Sequence, residues 1–359
     1  MSFRLYVSTS LEKLAGIFRE EIYESEEIKN PLHPIEVAVQ TQGIATWLKQ
    51  YIASESTIAM NLKMPFLKSA IAQTIKEYYP ASEEDLTKHS LDRDTWEIFH
   101  YLSGTHNDDK IPELETYLQN DPDMRKRYQI SRQIAAAFEQ YRTYRQEDMV
   151  QKWRDNKGTP QHWQEKIFRD IFVSDYTLDR YISHFIREAE KFNGEQVKKC
   201  LSVFGISSMP PMFLEFFKAL SKYQDVVLFY LAPSKDYWDN AKKNQPEDSG
   251  NNPLLQALGI QGRAFFEELL SKETWNTAHE KNSDRTGEKT FLSCLQEDIR
   301  NNRNVSETCA PDGTILIENC HTPLREVEVL HDRLLQEIKN GKKPGEILVT
   351  APNIEKYVP

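Results

Sequence analysis

The residues from Glu36 to Lys49, EVAVQTQGIATWLK, join an apolar β-branched run to a polar turn and then to an apolar set at helical spacing, Ile44, Trp47, Leu48 and Tyr51. A strand, a turn that Gly43 permits and a helix make the geometry of an α/β nucleotide-binding core. Phosphate chemistry at such a turn needs successive backbone amides facing the ligand and a lysine that reaches it. Gln40, Thr41 and Gln42 stand there instead, and the turn after the first predicted strand reads Val7-Ser8-Thr9-Ser10-Leu11-Glu12-Lys13. Neither is a phosphate loop. Gly341-Lys342-Lys343 follows a predicted helix and precedes a predicted strand, so it reads as a helix C-cap with solvated lysines. The buried run Leu201–Ile206 leads into Ser207 and Ser208, where magnesium would need carboxylates. The residues therefore predict no ATP hydrolysis, no cofactor and no metal.

Other catalytic patterns are missing. The chain contains no H-E-x-x-H and no G-x-S-x-G. Cys320 and His321 are adjacent, and neighbours on a strand point to opposite faces, so the pair reads as packing and strand-end polarity rather than a nucleophile and its base. The segment Met124–Arg145 carries Arg125, Lys126, Arg127, Arg132, Arg142 and Arg145 against one acid, Glu139, a local balance of +5. Tyr128, Phe138, Tyr141 and Tyr144 lie among these cations. Interleaved rings and cations can stack bases while holding phosphates. Core aromatics on a helix with a solvated arginine face would leave the same pattern, and the residues leave both readings open. Trp47 lies on an apolar stripe and reads as core.

The elements that must position these residues form an α/β pattern. Phe3–Val7 reads as a strand capped into a helix with Leu11, Leu14, Ile17, Phe18 and Ile22 on one face. Val37–Gln40 reads as the second strand, after a break at Asn30–Pro34, and Ser69–Tyr79 as a helix beyond Pro65. Successive strand–helix units predict a parallel sheet with right-handed crossovers. Strand signals vanish from about Leu86 to Phe172, which reads as a helical insertion whose most regular part is Tyr128–Tyr144. Strands resume at Leu201–Ile206 and Val226–Leu231, with a helix from Phe213 to Leu220 between them. Ser234–Pro253 and Ser271–Glu288 read as surface excursions, with a helix at Phe265–Leu270 between them. Thr314–Glu318 and Ile347–Thr350 read as strands flanking an amphipathic helix, Glu326–Ile338.

Composition sets outer limits. At 359 residues the chain can hold two or three domains, and its net charge of −10 argues against a uniform nucleic-acid coat. No apolar run approaches the roughly 20 residues that span a bilayer, and no secretory segment precedes the first strand, so a cytoplasmic protein is expected. Cys200, Cys294, Cys309 and Cys320 form no C-x-x-C pair and read as reduced structural thiols.

Four segments carry a resemblance. CHTPLREVEVLHDRLL at 320–335, Val39-Gln40 with Gly43, Ala45, Trp47 and Leu48, Phe138-Glu139-Gln140-Tyr141 with Tyr144-Arg145, and Gly205-Ile206-Ser207 with Pro210-Pro211 together resemble the amino-terminal part of the RecC family, the gamma subunits of exodeoxyribonuclease V. The resemblance implies an inactive superfamily 1 helicase fold (RecA-like, P-loop-NTPase-type). Its parts would be a first core over residues 1–85 and 173–312, an α-helical insertion over 86–172 and the start of a second core over 313–359. Family members assemble with a RecB motor-nuclease and usually a RecD helicase. They split duplex ends and pass the 3′ strand through a tunnel where Chi is recognised. Carried over by position, Gln40, Phe66, Glu139, Gln140 and Arg145 match or nearly match the tunnel-lining pattern, whereas Gln42, Thr46, Ala72, Ala136 and Ala137 occupy equivalent places and depart from it. A polar turn with Gln40 and Gln42 can hydrogen-bond base edges, because an amide both donates and accepts, and Arg145 could hold a phosphate or a guanine. The DNA-binding candidates are thus Gln40, Gln42, Thr46, Phe66, Glu139, Gln140 and Arg145. The expected role is a non-catalytic DNA-handling subunit. A protein scaffold without DNA contact and an active ATP-dependent helicase are the alternatives.

Overall fold

The computed structural model describes residues 3–24, 34–56, 58–80, 82–88, 90–104, 111–172, 176–192, 197, 199–235, 238, 252–270, 276–279, 289–304 and 309–357. In chain order these form β1 (Phe3–Ser8), α1 (Leu11–Phe18), β2 (Ile35–Val39), α2 (Gln42–Ser56), β3 (Leu62–Lys63), α3 (Leu67–Tyr78), α4 (Ser82–Lys88) and α5 (Leu91–Ser103). There follow α6 (Pro112–Leu118), α7 (Arg125–Tyr144), α8 (Gln151–Asp155), α9 (Trp163–Phe172), α10 (Leu178–Glu190), β4 (Cys200–Ile206), α11 (Pro211–Leu220) and β5 (Asp225–Leu231). The last elements are α12 (Pro253–Leu258), α13 (Ile260–Leu270), β6 (Asn276–His279), α14 (Phe291–Arg300) and α15 (Pro323–Lys339). Contacts divide the chain into two compact units, one of Met1–Arg285 with Ile299–Asn304 and one of Thr286–Asp298 with Val305–Pro359.

The first unit is built on a six-stranded sheet in the order β3-β2-β4-β5-β1-β6, with every pair parallel. Strand parity sorts its two faces. Val226, Leu228 and Tyr230 of β5 pack with residues of α3, α10, α11 and α13, whereas Val227 and Phe229 pack with α1 and α2. Phe18, Phe204 and Phe229 meet on the second face with ring centroids 5.6–5.9 Å apart. Burying each such ring stabilises by roughly 1.5–3 kcal/mol. The apolar runs of β4 and β5 read as central strands for this reason: both faces are covered by helices. A third cluster, with Ile98, Ile134, Phe138, Trp153 and Phe168 among its members, lies within the helices α5–α9.

Several expectations are corrected. Gly43 makes no turn, because α2 already begins at Gln42 and the Thr41 hydroxyl accepts from the Ile44 amide at 3.2 Å as an N-cap. The excursion Ser271–Glu288 contains β6, which pairs with β1, and backbone pairing of so polar a segment leaves no periodic signal. Neither Thr314–Glu318 nor Ile347–Thr350 is a strand. A strand needs a neighbour for its backbone groups, and among the described residues the second unit supplies none. Ile317 is 90% exposed and Leu348 86%. Cys320 and His321 accordingly lie in the turn before α15 rather than on a strand.

Within the second unit, the N-terminus of α14 is tied to the segment beyond it. Asp312 accepts from the Thr314 hydroxyl, and from the Thr314 and Phe291 amides at 2.9 Å each, and these bonds, the hydroxyl's first, hold its carboxyl below the usual carboxylate range. This docking brings Cys309 to Cys294, with Cα atoms 6.5 Å apart, and the two form a disulfide. The reading of four reduced thiols fails for this pair, because residue spacing alone does not report spatial approach. Cys200 and Cys320 form no disulfide among the described residues. α15 is capped by Thr322, whose hydroxyl accepts from the Arg325 amide, and it ends at Gly341 in the left-handed region (φ 97°), the expected C-cap.

Candidate nucleic-acid interface

In a parallel sheet the carboxyl ends of the strands leave a crevice where ligands bind. Gln40 follows β2 directly, and its side-chain oxygen accepts from both the amide and the hydroxyl of Ser207, at 3.3 and 3.2 Å, immediately after β4. The approach depends on Gly205. Its φ of 67° accompanies a register shift between Phe204 and Ile206, and a Cβ there would lie 3.0 Å from the Ile44 side chain. The two strand-end turns are thus locked together through a glycine that admits α2 and a glutamine that bridges them. Beside them, the Val39 amide donates to the Pro65 carbonyl at 3.0 Å, which carries Phe66 alongside the end of β2 before α3 begins.

A groove of about 480 Å³ opens between these strand ends and α7, with Gln40, Phe66, Glu139, Gln140, Tyr144 and Ser208 in its wall. Phe66 and Tyr144 are 49% and 64% exposed, so both rings present apolar faces to solvent. Glu139 is ion-paired with Lys68 of α3, which fixes α7 against the sheet side of the groove. Behind that pair lies a second cavity of about 290 Å³, lined in part by Lys68, Glu139 and Thr143 and reaching the buried Arg142 and Asp179.

Of the seven candidates, the structure brings Gln40, Phe66, Glu139 and Gln140 into this groove. Gln42 and Thr46 are exposed on α2 and do not line it, because a helix starting at residue 42 turns both away. Arg145 is exposed, and its Nε donates to Asp148 at 2.7 Å. Lys68 and Thr143 belong to the groove without any sequence signal, their role being set by α3 and α7 lying side by side.

The two readings of the aromatic–basic segment divide along α7. Phe138 is fully buried and Tyr141 packs against it, whereas Tyr128 and Tyr144 are exposed. Arg142 is buried on Asp94 of α5 and stacks over Phe172. Arg154 of α8 is likewise buried on Asp179 of α10, 2.7 Å away, and ties the helical cluster to the sheet helices. Trp47 is partly buried and stacks on Tyr51, which agrees with its reading as core.

Chemically, the groove offers exposed rings for stacking and the primary amides of Gln40 and Gln140 for hydrogen bonding. Its carboxylate, Glu139, is engaged by a lysine. At the end of β1, the Ser10 hydroxyl caps α1 by accepting from the Lys13 amide at 3.3 Å and donates to Glu12 at 2.8 Å. Serine and a carboxylate occupy the helix N-terminus at that turn. Among the described residues no cluster of His, Cys, Asp and Glu could hold a metal ion.

A model of the family described as RecC, N-terminal domain, matches residues 3–302. The chain is 25% identical to the RecBCD enzyme subunit RecC of Escherichia coli K12, over 99% of the chain and 37% of that protein. It is 26% identical to the same-named subunit of Haemophilus influenzae, over 99% of the chain and 38% of the relative. For the Mycolicibacterium smegmatis RecC the identity is 24%, over 93% of the chain and 32% of the relative. The chain therefore spans about a third of the length of these relatives.

Proposed function

The chain belongs to the RecC N-terminal domain family, and from that premise we propose that it is a non-catalytic, DNA-handling part of a RecBCD-type helicase–nuclease acting in recombinational repair of double-strand breaks. In this reading residues 1–85 and 173–312 are an inactive superfamily 1 helicase-like core, 86–172 its helical insertion, and 313–359 the start of another such core. It guides the 3′ single strand and scans it for a Chi-like sequence, in company with a RecB-like motor-nuclease and a RecD-like helicase in the cytoplasm. No helix among the described residues is long and apolar enough to cross a membrane.

The observation that carries this reading is the groove at the carboxyl ends of β2 and β4, where four of the seven candidate residues meet. A motor would place phosphates and magnesium at these strand ends. This chain places Gln40 against Ser207 there, and Ser10 with Glu12 at the turn after β1. Bases can stack on Phe66 and Tyr144, each such contact being worth about 1–3 kcal/mol, while the Gln40 and Gln140 amides meet base edges. Gln42, Thr46, Ala72, Ala136 and Ala137 depart from the family's pattern, so the family's Chi sequence is not carried over to this chain.

The test is photo-crosslinking of the purified chain to a thiothymidine-bearing single strand. Crosslinks concentrated on Phe66 and Tyr144, and lost in Gln40→Ala with Phe66→Ala, are expected. Undiminished crosslinking in that double variant refutes the groove, and absence of any crosslink favours a protein scaffold. DNA-stimulated ATP turnover at the rate of a true helicase would refute the inactive core.

A further inference from the structure

The groove uses only the carboxyl-terminal half of α7. The same face of the helix continues past it: Arg125, Gln129, Arg132, Ala136, Gln140 and Thr143 recur three and four residues apart and so form one stripe. Arg125, Gln129, Arg132 and Gln140 are exposed along it. From Gln140 back to Arg125 the stripe is roughly 23 Å long, at 1.5 Å per residue.

At its far end lies a second concavity, of about 320 Å³, walled by Trp96, Phe99, Met124, Arg125, Tyr128 and Gln129. Trp96 is 57% exposed, with the Tyr128 ring centroid 5.6 Å away and the Phe99 ring 5.4 Å away. An exposed tryptophan with a tyrosine beside it is unusual for a solvated helix face, because both rings leave apolar area in water. The first half of α7, residues 125–132, holds four cations and no acid. The acids nearby lie on other elements: Asp123 pairs with Arg125 at 2.9 Å, and Glu97 of α5 pairs with Arg93 at 3.5 Å. Exposed pairs of this kind contribute little and exchange readily for another anion.

We propose that this stripe is a rail for single-stranded nucleic acid, which leaves the groove along α7, is held by Arg132 and Arg125 at its phosphates and stacks its bases on Trp96 and Tyr128. The inference rests on the groove being a single-strand site. Rings and cations on one face are what sequence-tolerant single-strand binding requires, and α7 gives both ends of the path a common rigid support.

The experiment compares oligothymidylates of about 6 and about 15 nucleotides on the purified chain, by anisotropy across a salt series. Trp96→Leu with Tyr128→Leu is expected to weaken the longer strand about tenfold and to leave the shorter one unchanged. Trp96→Tyr with Tyr128→Phe, which keep the rings, should restore it. Arg125→Ala with Arg132→Ala should lower the slope of log affinity against log salt by about 1.4, at roughly 0.7 per phosphate contact on a single strand. If the longer strand binds with unaltered affinity and slope in both ring-less and arginine-less variants, the rail is overturned and the groove stands. If neither oligonucleotide binds the wild-type chain, both fall together.

Discussion

Gly205→Ala is expected to destabilise the first unit by about 1–3 kcal/mol. The residue sits at φ 67°, where an L side chain costs about 1–2 kcal/mol. Its new methyl would meet Ile44 Cδ1 at 3.0 Å and Cγ2 at 3.2 Å. The Ile44 side chain can yield in part, so the overpacking lies at the low end of the roughly 1–3 kcal/mol seen for added methylenes. Alanine recovers about 0.4–1 kcal/mol by restricting the unfolded chain. With a urea dependence of about 3 kcal/mol/M, a loss of 2 kcal/mol moves the unfolding midpoint down by about 0.7 M. Ile44→Val removes Cδ1, and in a double-mutant cycle with Gly205→Ala it should return part of the loss, because the two groups touch. The same substitution shifts Ser207 from Gln40, so groove crosslinking should fall even where the chain remains folded. An unchanged midpoint, or a cycle with no coupling, would refute the account of the bulge as a backbone accommodation to α2.

Two further outcomes follow from the buried charges and rings. Arg142→Ala strips the guanidinium from Asp94, whose side chain is 3% exposed, and should cost about 3–5 kcal/mol in thermal or urea unfolding, whereas Arg142→Met with Asp94→Leu should lie within about 2 kcal/mol of wild type. Stability should also fall at alkaline pH. The Tyr181 phenol is pushed up to about 12, first by burial and then by its hydrogen bond to Asp85, while the unfolded chain titrates near 10. The folded state therefore keeps a proton that the unfolded state releases: the contribution is complete below pH 10 and is lost as pH rises toward 12. Burial raises the Tyr230 phenol in the same direction. Urea midpoints at pH 9 and 11 measure the loss, and Tyr181→Phe should make it shallower.

Much of the architecture was legible in local pattern. β1, β2, β4 and β5, the helices after the first three, and the body of α15 with its Gly341 end followed from periodicity and glycine, since these act over a few residues, whereas α12 and the Thr322 cap did not. The turn chemistry that lacks a phosphate loop was equally plain, because it depends on which residue types occupy two short turns. Where pattern and structure part, the deciding partner is distant. β6 needed β1, nearly the whole first unit away in sequence, and Cys294 needed the Asp312 contacts to bring Cys309 within reach. The segments at 314–318 and 347–350 have a strand's composition and, among the described residues, no strand beside them.

The site divides in the same way. Residue types alone determined that Gln40, Glu139 and Gln140 are polar groups suited to hydrogen bonding and that Met124–Arg145 mixes rings with cations. Only the tertiary structure decided that Gln40 meets Ser207, 167 residues away, that Phe66 and Tyr144 face one groove, and that Arg142 is buried while Arg145 turns to Asp148. The reason is geometric. Helical spacing states which side chains share a face, but whether that face meets a sheet, another helix or water depends on elements that the spacing does not contain.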